Sequence, residues 1–298
     1  RMMRDSFSTF HPIVNFTYFT AVISFGMFFL HPVFLGIALV SSFAYSVMLK
    51  GKRAVKFNLI YMLPMLLFMA ILNPAFNHEG VTILFYLKNG NPITLESIFY
   101  GVAAASMFSI IILWFSCYNE VMTSDKFIYL FGKILPALSL IFSMVLRFVP
   151  RYTAQIKVIS NAHKCLGRDF SQGNIIKRAQ NGIKILSIMT TWSLENAIET
   201  ADSMKARGYG LPKRSSFSIY RFDNRDKIAF TMILGLVIVV LIGAAMGENT
   251  MRFFPSVILK DIRTFSISIY FAYFILCMLP IFTNIMEEIK WRYIESKN

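Results

Sequence analysis

Long apolar runs alternate with short polar segments along most of the chain. Six of these runs cover residues 13–30, 32–49, 57–73, 95–117, 228–247 and 266–286. A helix needs about 20 mostly apolar residues to cross the hydrocarbon core of a bilayer, and the runs approach that length. The pattern therefore predicts an all-α polytopic membrane protein with about six transmembrane helices in the lipid bilayer.

A seventh apolar run, 127–149, differs from these six because Lys133, Pro136 and Arg147 interrupt it. The block that follows, 151–227, contains fourteen Lys and Arg residues against six Asp and Glu residues. Segments rich in Lys and Arg stay on the cytoplasmic side, so a full crossing by 127–149 would place this block outside. We therefore expect 127–149 to lie along, or dip into, the cytoplasmic boundary of the membrane without crossing it.

The charge of the short loops sets the expected orientation of the spans. Residues 50–56 hold four cations in seven positions, which predicts a cytoplasmic loop. By alternation, the N-terminus and the C-terminal tail are then cytoplasmic and the polar loop 74–92 is outside. Thr94 and Glu96 are candidate cap residues for the helix that follows this loop.

Three regions follow from the runs and the charges. Residues 1–118 form the N-terminal transmembrane helices, and 228–298 form the C-terminal transmembrane helices with a cytoplasmic tail. Residues 119–227 between them form a membrane-interface helix and cytoplasmic helices. A segment of this length needs structure of its own, so we expect a cytoplasmic helical domain.

Two amphipathic helices are expected within the cytoplasmic region. The first, 151–170, has apolar residues at three- and four-residue steps, namely Ile156, Ile159, Ala162, Leu166 and Phe170. After a break at Gly173-Asn174, the apolar positions of the second are Ile176, Ala179, Ile183, Leu186, Ala197, Ala201 and Met204. Polar residues interrupt that second row, which argues against a long coiled coil. Two antiparallel helices packed on each other, or crossed over the membrane face, fit the pattern better.

The second amphipathic helix is predicted to end at Arg207-Gly208, with Pro212 beyond it. Glycine supplies the left-handed residue that closes a helix, and a following proline prevents its continuation. Lys205 and Arg207 in the last turn complement the helix dipole. Taken alone, a cation followed by glycine is an ordinary helix C-terminus.

Composition agrees with a membrane protein and argues against a nucleic-acid-binding one. The hydrophobic fraction is 56% and the mean hydropathy is +0.56, whereas soluble domains are about 45–50% apolar. The formal net charge of +14 would suggest nucleic acid in a soluble chain. Here cytoplasmic loops account for the excess, so no nucleic-acid partner is expected.

Sites for metals, cofactors and nucleotides are not evident in the sequence. Cys117, Cys165 and Cys277 are widely spaced and odd in number, which predicts neither a disulfide framework nor a metal site. Gly132-Lys133 is followed by Ile134 and lacks the upstream glycine of a nucleotide-binding loop. We therefore expect no resident cofactor and no ATP hydrolysis by this chain.

The segment from Ala201 to Tyr209, Ala-Asp-Ser-Met-Lys-Ala-Arg-Gly-Tyr, resembles the signature of a known family. That family is the transmembrane T component, EcfT or CbiQ-like, of energy-coupling factor (ECF) ABC transporters. Further segments that resemble the family occur in the right order along most of the chain: 73–82, 93–101, 146–150, and 162–170 with its Gly-Arg-Asp-Phe end.

The resemblance implies a non-catalytic scaffold in the plasma membrane of a prokaryote. Such a scaffold joins two cytoplasmic ABC ATPases to a substrate-binding S component, which captures a vitamin or a metal ion. The transported nutrient, and whether one or many S components share the scaffold, are not set by this chain.

The resemblance also implies two ATPase-coupling segments at helix ends. The intact one is Ala206-Arg207-Gly208, supported by Asp202, Met204 and Tyr209. In the other, Cys165-Leu166-Gly167, leucine stands where the family has arginine, and Arg168 is a candidate substitute. Unequal segments imply an ATPase heterodimer with non-equivalent grooves.

Two other function classes were weighed against this one. An autonomous secondary transporter or channel would place ionisable residues inside its spans, and the spans predicted here contain almost none. A membrane-bound enzyme would need a clustered nucleophile, base or metal set. Glu195, Glu199 and Asp202 share a helix face but are better explained as a solvated face. His78 with Glu79 is better explained as a turn than as a ligand pair.

Overall fold

The computed structural model describes residues 5–86, 90–132, 135–166, 174–211, 220–255 and 263–296. Helices account for almost all of its regular structure. They are α1 Pro12–Phe28, α2 Pro32–Lys50, α3 Lys52–Phe57, α4 Leu63–Phe76, α5 Leu95–Val121, α6 Ser124–Gly132, α7 Pro136–Cys165, α8 Ile175–Ala206, α9 Asn224–Ala245 and α10 Thr264–Glu295. The remaining elements are a 3₁₀ turn at Phe7–Thr9, a π turn at Asn58–Met62, and the strands β1 Ile83–Tyr86 and β2 Pro92–Thr94.

The predicted class, an all-α polytopic membrane protein, is confirmed. Within the described ranges, five helical segments are long and apolar enough to cross a membrane: α2, Lys52–Phe76, α5, α9 and α10. The first predicted span corresponds to α1, which is apolar but has only 17 residues. A helix of that length rises about 25 Å, which is at the lower limit for a crossing.

The third predicted span is one continuous helical segment with a π turn inside it. The chain runs from α3 through the π turn Asn58–Met62 into α4 without leaving helical geometry. α4 then extends past Pro74 to Phe76, beyond the expected end at residue 73. π turns are rare in proteins and cluster at functional sites.

The loop 74–92 is more ordered than expected, because part of it forms an antiparallel hairpin of β1 with β2. Thr, Ile, Leu, Phe and Tyr side chains suit extended backbone, and five such residues occupy 82–86. The cap prediction is confirmed for Thr94, whose hydroxyl oxygen accepts from the Ser97 N–H. Glu96 instead accepts from the Thr82 N–H and hydroxyl, the latter at 2.8 Å, and so ties the hairpin to α5.

The chain divides into two compact units. The first comprises Arg1–Phe127 with Tyr220–Asn298, and the second comprises Ile128–Ile219. The regional boundaries expected at 118 and 228 remain predictions. Large aromatic side chains fill the core of the first unit, and its fully buried members include Phe7, Tyr18, Phe19, Phe34, Tyr45, Trp114 and Tyr273.

Asn284 fixes the segment before α1 onto α10. Its Oδ1 accepts from the Ser6 N–H at 2.7 Å and from the Phe7 N–H at 3.2 Å. Its Nδ2 donates to Asp5 Oδ1 at 2.7 Å. These bonds pair the buried amide of Asn284 with part-buried and buried groups of the N-terminal segment, so they hold that segment in place.

Lys126 of α6 is buried against the same segment. Its Nζ donates to the Ser8 and Val121 carbonyl oxygens. Burial lowers the pKa of Lys126, and the nearby Asp5 carboxylate opposes this shift. Neither Asn284 nor Lys126 stands out in the sequence, because each lies beside other polar residues at the edge of an apolar run.

Gly243 marks a close approach of α9 to α10. A Cβ placed there would lie 2.5 Å from Ile269 Cδ1, whereas a Cβ at Gly235 of the same helix would meet nothing within 4 Å. We expect Gly243→Val to lower stability by about 1–3 kcal/mol, because extra volume in a packed contact displaces its neighbours. Thermal unfolding in mild detergent measures this. Gly235→Val is the matched control, and equal melting temperatures for both variants would contradict the prediction.

The second unit differs from expectation in where its apolar run is broken. The expected break between 149 and 151 is absent, because α7 continues through Pro150 to Cys165. The helix instead starts at Pro136, one of the residues predicted to interrupt the run; proline is tolerated in the first turn, where its missing N–H is not needed. Lys133 lies outside the described residues. α7 is not among the helices that are long and apolar enough to span, and the interface position of 127–149 remains a prediction.

Candidate functional site

The C-terminal end of α8 has the backbone of a Schellman motif. The Gly208 N–H donates to the Lys205 carbonyl at 2.9 Å, and the Tyr209 N–H donates to the Met204 carbonyl at 3.0 Å. Gly208 has φ +78°, a left-handed value that only glycine adopts without strain. The helix end predicted at Arg207-Gly208 is therefore confirmed, and Arg207 is its cap residue. Pro212 lies outside the described residues.

The side chains of this end, which we call the Arg207 tip (residues 202–211), point mostly into solvent. Asp202, Ala206 and Arg207 are exposed, and Tyr209 is 44% exposed. Met204 and Gly208 are partly buried. Asp202 makes no ion pair with Arg207 among the described residues, so the structure gives Asp202 no orienting contact. The tip presents an exposed arginine next to a tight backbone turn.

A second helix end, the Leu166 tip (Cys165 and Leu166), closes α7. Leu166 is its cap residue, with φ −84° and ψ 7°, and Arg207 has φ −82° and ψ 8°. The two residues therefore occupy equivalent backbone positions, each directly after the last helical residue. Cys165 is exposed and Leu166 is 71% exposed. Gly167 and Arg168 lie outside the described residues.

A small apolar cluster joins α7 to α8 within the second unit. Ile159 of α7 packs with Ile185 and Met189 of α8, and all three are less than 10% exposed. Tyr152 and Trp192 pack against this cluster, with their rings in a T-shaped contact at 5.3 Å. These five side chains form the apolar part of the helix pairing.

A polar contact adds to this pairing. Arg151 Nη2 donates to Asn196 Oδ1 at 2.7 Å, and the Arg151 guanidinium lies 5.4 Å from the centre of the Trp192 ring. Asn196 also donates to the Trp192 carbonyl, so its amide is held in place. A buried asparagine is costly unless it is hydrogen-bonded, and here Arg151 supplies the partner.

The row of apolar residues predicted to pack α8 is not the row that does so. Ile176, Ile183 and Leu186 of that row are 66%, 64% and 63% exposed. The packed face is instead the one with Ile185, Met189, Trp192 and Asn196. Sequence periodicity selects the most apolar stripe, whereas the contact with α7 is made by a stripe that contains a polar residue. The exposed row remains as an uncovered apolar face of α8.

The contacts between α7 and α8 follow an antiparallel order, and the two predicted arrangements, helices packed on each other or crossed over the membrane face, stay predictions. Arg151 contacts Asn196 near the start of the overlap, while Ile159 meets the cluster of Ile185 and Met189 further along. Rising residue numbers on α7 therefore pair with falling numbers on α8. Leu166 and Arg207 each lie about 20 Å from the Tyr152–Trp192 contact at 1.5 Å per residue, and on opposite sides of it.

Comparison with known proteins shows which family the chain resembles. No protein-family profile matches the chain. Energy-coupling factor transporter transmembrane protein EcfT of Leuconostoc gelidum subsp. gasicomitatum is 33% identical over 112 residues, 37% of this chain and 42% of that protein. The EcfT proteins of Lactobacillus helveticus and Staphylococcus aureus are each 34% identical over 106 residues.

These relatives confirm the resemblance to the EcfT/CbiQ-like T component. The matched region covers 34% of this chain and 38% of the protein from L. helveticus, and 35% and 40% for S. aureus. The chain thus matches about two fifths of the length of these EcfT proteins. The name of the EcfT relatives places them in the membrane part of a transporter, which agrees with the apolar spans described above.

Several residues of this EcfT-like chain were not found by sequence reasoning. Arg151 and Asn196 carry the polar contact of the helix pair, and Trp192 lies between them. Arg151 is on α7 and Asn196 is on α8, so no periodicity within one helix could indicate that the two residues pair. By contrast, Glu195, Glu199 and Asp202 are all exposed, as expected for a solvated face.

Proposed function

We propose that the chain is the energy-coupling transmembrane scaffold of an ECF-type ABC importer. In this proposal it transmits motion from two cytoplasmic ATPases to an S component that captures a vitamin or a metal ion. The observation that carries the proposal is the Arg207 tip, an exposed guanidinium on a fixed helix end within a segment that resembles the family signature. ATP hydrolysis belongs to the partner ATPases, and this chain is non-catalytic.

The chemistry of the Arg207 tip suits docking into an acidic groove. A guanidinium binds a carboxylate through two parallel hydrogen bonds, which the ammonium of lysine cannot do. Gly208 has no Cβ beside the arginine, so the backbone can approach a groove wall closely. Because the Schellman bonds fix the turn, little conformational entropy is lost on docking.

Two tips on opposite ends of one helix pair fit two ATPase subunits. Leu166 takes the backbone position in one tip that Arg207 takes in the other. An apolar side chain and a guanidinium cannot make equal contacts with identical grooves, because the first needs an apolar pocket and the second needs a carboxylate. The unequal tips therefore support a heterodimeric ATPase pair.

The contact between α7 and α8 gives the pair a way to transmit force. Apolar packing, the ring contact and the Arg151–Asn196 bond join the helices at one place. Closure of the ATPases would move the two tips relative to each other, and the paired helices would respond as rigid bodies. The exposed apolar row Ile176, Ile183 and Leu186 offers a surface for the S component.

Reconstitution tests the proposal against an autonomous transporter. The purified full chain in vesicles should move no vitamin and no metal ion alone. Uptake should appear only when the ATPases and an S component from the same organism are added with ATP. Uptake by the chain alone would contradict the scaffold role. A cysteine placed at Asn174 can be labelled with a fluorescent reagent added on either side of the membrane. Labelling only from the cytoplasmic side would support the cytoplasmic position of α8.

A further inference from the structure

We propose that the first unit holds an anionic glycerophospholipid in a cavity between α2, α5 and the helical segment Lys52–Phe76. The cavity has a volume of about 170 Å³. Its lining residues are Leu39, Phe43, Asn58, Leu59, Met62, Leu63, Leu66, Ser109 and Leu113. We call it the Asn58 cavity.

Asn58 is the unusual feature of this cavity. The residue is 6% exposed, and neither Oδ1 nor Nδ2 of its side chain has a hydrogen-bond partner. It begins the π turn that interrupts the third span. A buried amide without partners is unfavourable, so natural proteins rarely keep one unless something binds to it. The amide therefore indicates a ligand with both hydrogen-bonding and apolar parts.

The rest of the lining argues for hydrocarbon next to that polar group. Ser109 is the other polar lining residue, and its hydroxyl already donates to the Ala105 carbonyl at 2.9 Å. A buried water needs two to four polar partners, and this wall offers little beyond Asn58. An engineered apolar cavity of about 150 Å³ binds benzene, so this volume can take a segment of an acyl chain.

The cavity is also accessible from the lipid side. Leu59 and Leu63 are 58% and 50% exposed, and only 11% of the apolar window of Lys52–Phe76 is buried. This segment therefore lies at the edge of the first unit. A bilayer lipid can enter the cavity laterally, with its ester oxygens toward Asn58 and its chain among the leucines.

Charge next to the cavity selects the headgroup. Lys52, Arg53 and Lys56 precede Asn58 and are exposed, and none of them forms an ion pair with another described residue. Lys52 and Lys56 are seven and three residues before the lining residue Leu59, which places them on its helix face. Lysines at a bilayer surface attract anionic headgroups. The occupant that fits is thus a lipid with a phosphate and no compensating cation.

Native mass spectrometry of the delipidated full chain tests this proposal. The chain is titrated with phosphatidylglycerol and with phosphatidylcholine of identical acyl chains. We expect phosphatidylglycerol to bind at least fivefold more tightly, since each nearby cation contributes roughly that factor. Equal binding of the two lipids would overturn the proposal.

Variants separate the contributions of the amide and the cations. Asn58→Leu should weaken the binding of both lipids by about fivefold, because both have ester carbonyls that can accept a hydrogen bond from the amide. The double variant Lys52→Gln with Lys56→Gln should weaken only the binding of phosphatidylglycerol. Its affinity should fall to that of phosphatidylcholine. Lys227→Gln with Lys290→Gln removes two other exposed cations and should change neither affinity.

Further results distinguish a lipid site from a surface for a protein partner. If Asn58→Leu does not fold, Leu63→Phe fills the cavity from a half-exposed position and should weaken both lipids. Unchanged lipid binding in the cavity variants would overturn the proposal. The proposal would also be overturned if those variants kept their lipid but lost a membrane partner in co-purification. The Asn58 cavity would then be part of the binding surface for that partner.

Discussion

Replacing Arg207 by glutamate is expected to reduce recovery of the partner ATPases at least tenfold. In the proposed complex the guanidinium lies against a carboxylate in an ATPase groove. Removing one partner of such a buried pair costs about 2–5 kcal/mol, and a glutamate adds repulsion. The measurement is co-purification of the ATPases with the tagged chain from mild detergent.

Two further variants make this result specific to the Arg207 tip. Lys184→Glu reverses the same charge at another exposed position of α8 and should leave recovery unchanged. Arg207→Lys keeps the charge but loses the two parallel hydrogen bonds, so its recovery should lie between those of the wild type and the glutamate variant. Full recovery with Arg207→Glu would show that the tip does not bind an ATPase.

Replacing Met189 by aspartate is expected to separate α7 from α8. Met189 is 7% exposed and packs with Ile159 and Ile185, so the new carboxylate would be buried without a partner. The penalty for such a group is several kcal/mol, which the small cluster cannot offset. Hydrogen exchange measured by mass spectrometry should increase at least tenfold in the middle of α8.

Leu186→Asp is the matched control for this experiment. It introduces the same side chain three residues away, but at a position that is 63% exposed. Exchange in the middle of α8 should therefore stay at the wild-type level. If Leu186→Asp and Met189→Asp gave the same increase, the assignment of Met189 to the packed face and of Leu186 to the exposed face would be wrong.

Much of the fold could be predicted from the sequence because apolar length is decisive in a bilayer. The runs that contain α2, α5, α9 and α10 were recognisable, since a span needs about 20 apolar residues whatever its neighbours are. The end of α8 was equally clear, because glycine at Gly208 carries a local conformational requirement. Such features depend only on residues close in the chain.

The errors concern features that depend on distant residues. Leu186 was assigned to the packed face because it belongs to the most apolar row of α8. The residues that are buried against α7 are instead Met189 and Asn196, on another face of the helix. Which face is covered depends on Arg151 and Tyr152 of α7, about 40 residues earlier in the chain. The run 127–149 and the helix 151–170 were predicted as separate elements, but α7 continues through Pro150 to Cys165.

The matching backbone of the two tips means that the residue at the end of α7 can change during evolution without a change in the chain path. Leu166 has a negative φ, which L-amino acids adopt without the strain of a left-handed residue. The position therefore does not require glycine. The difference between the tips at this position therefore resides in a side chain and not in the chain path. A single codon change could alter what one end of the helix pair recognises while the architecture around it stays the same.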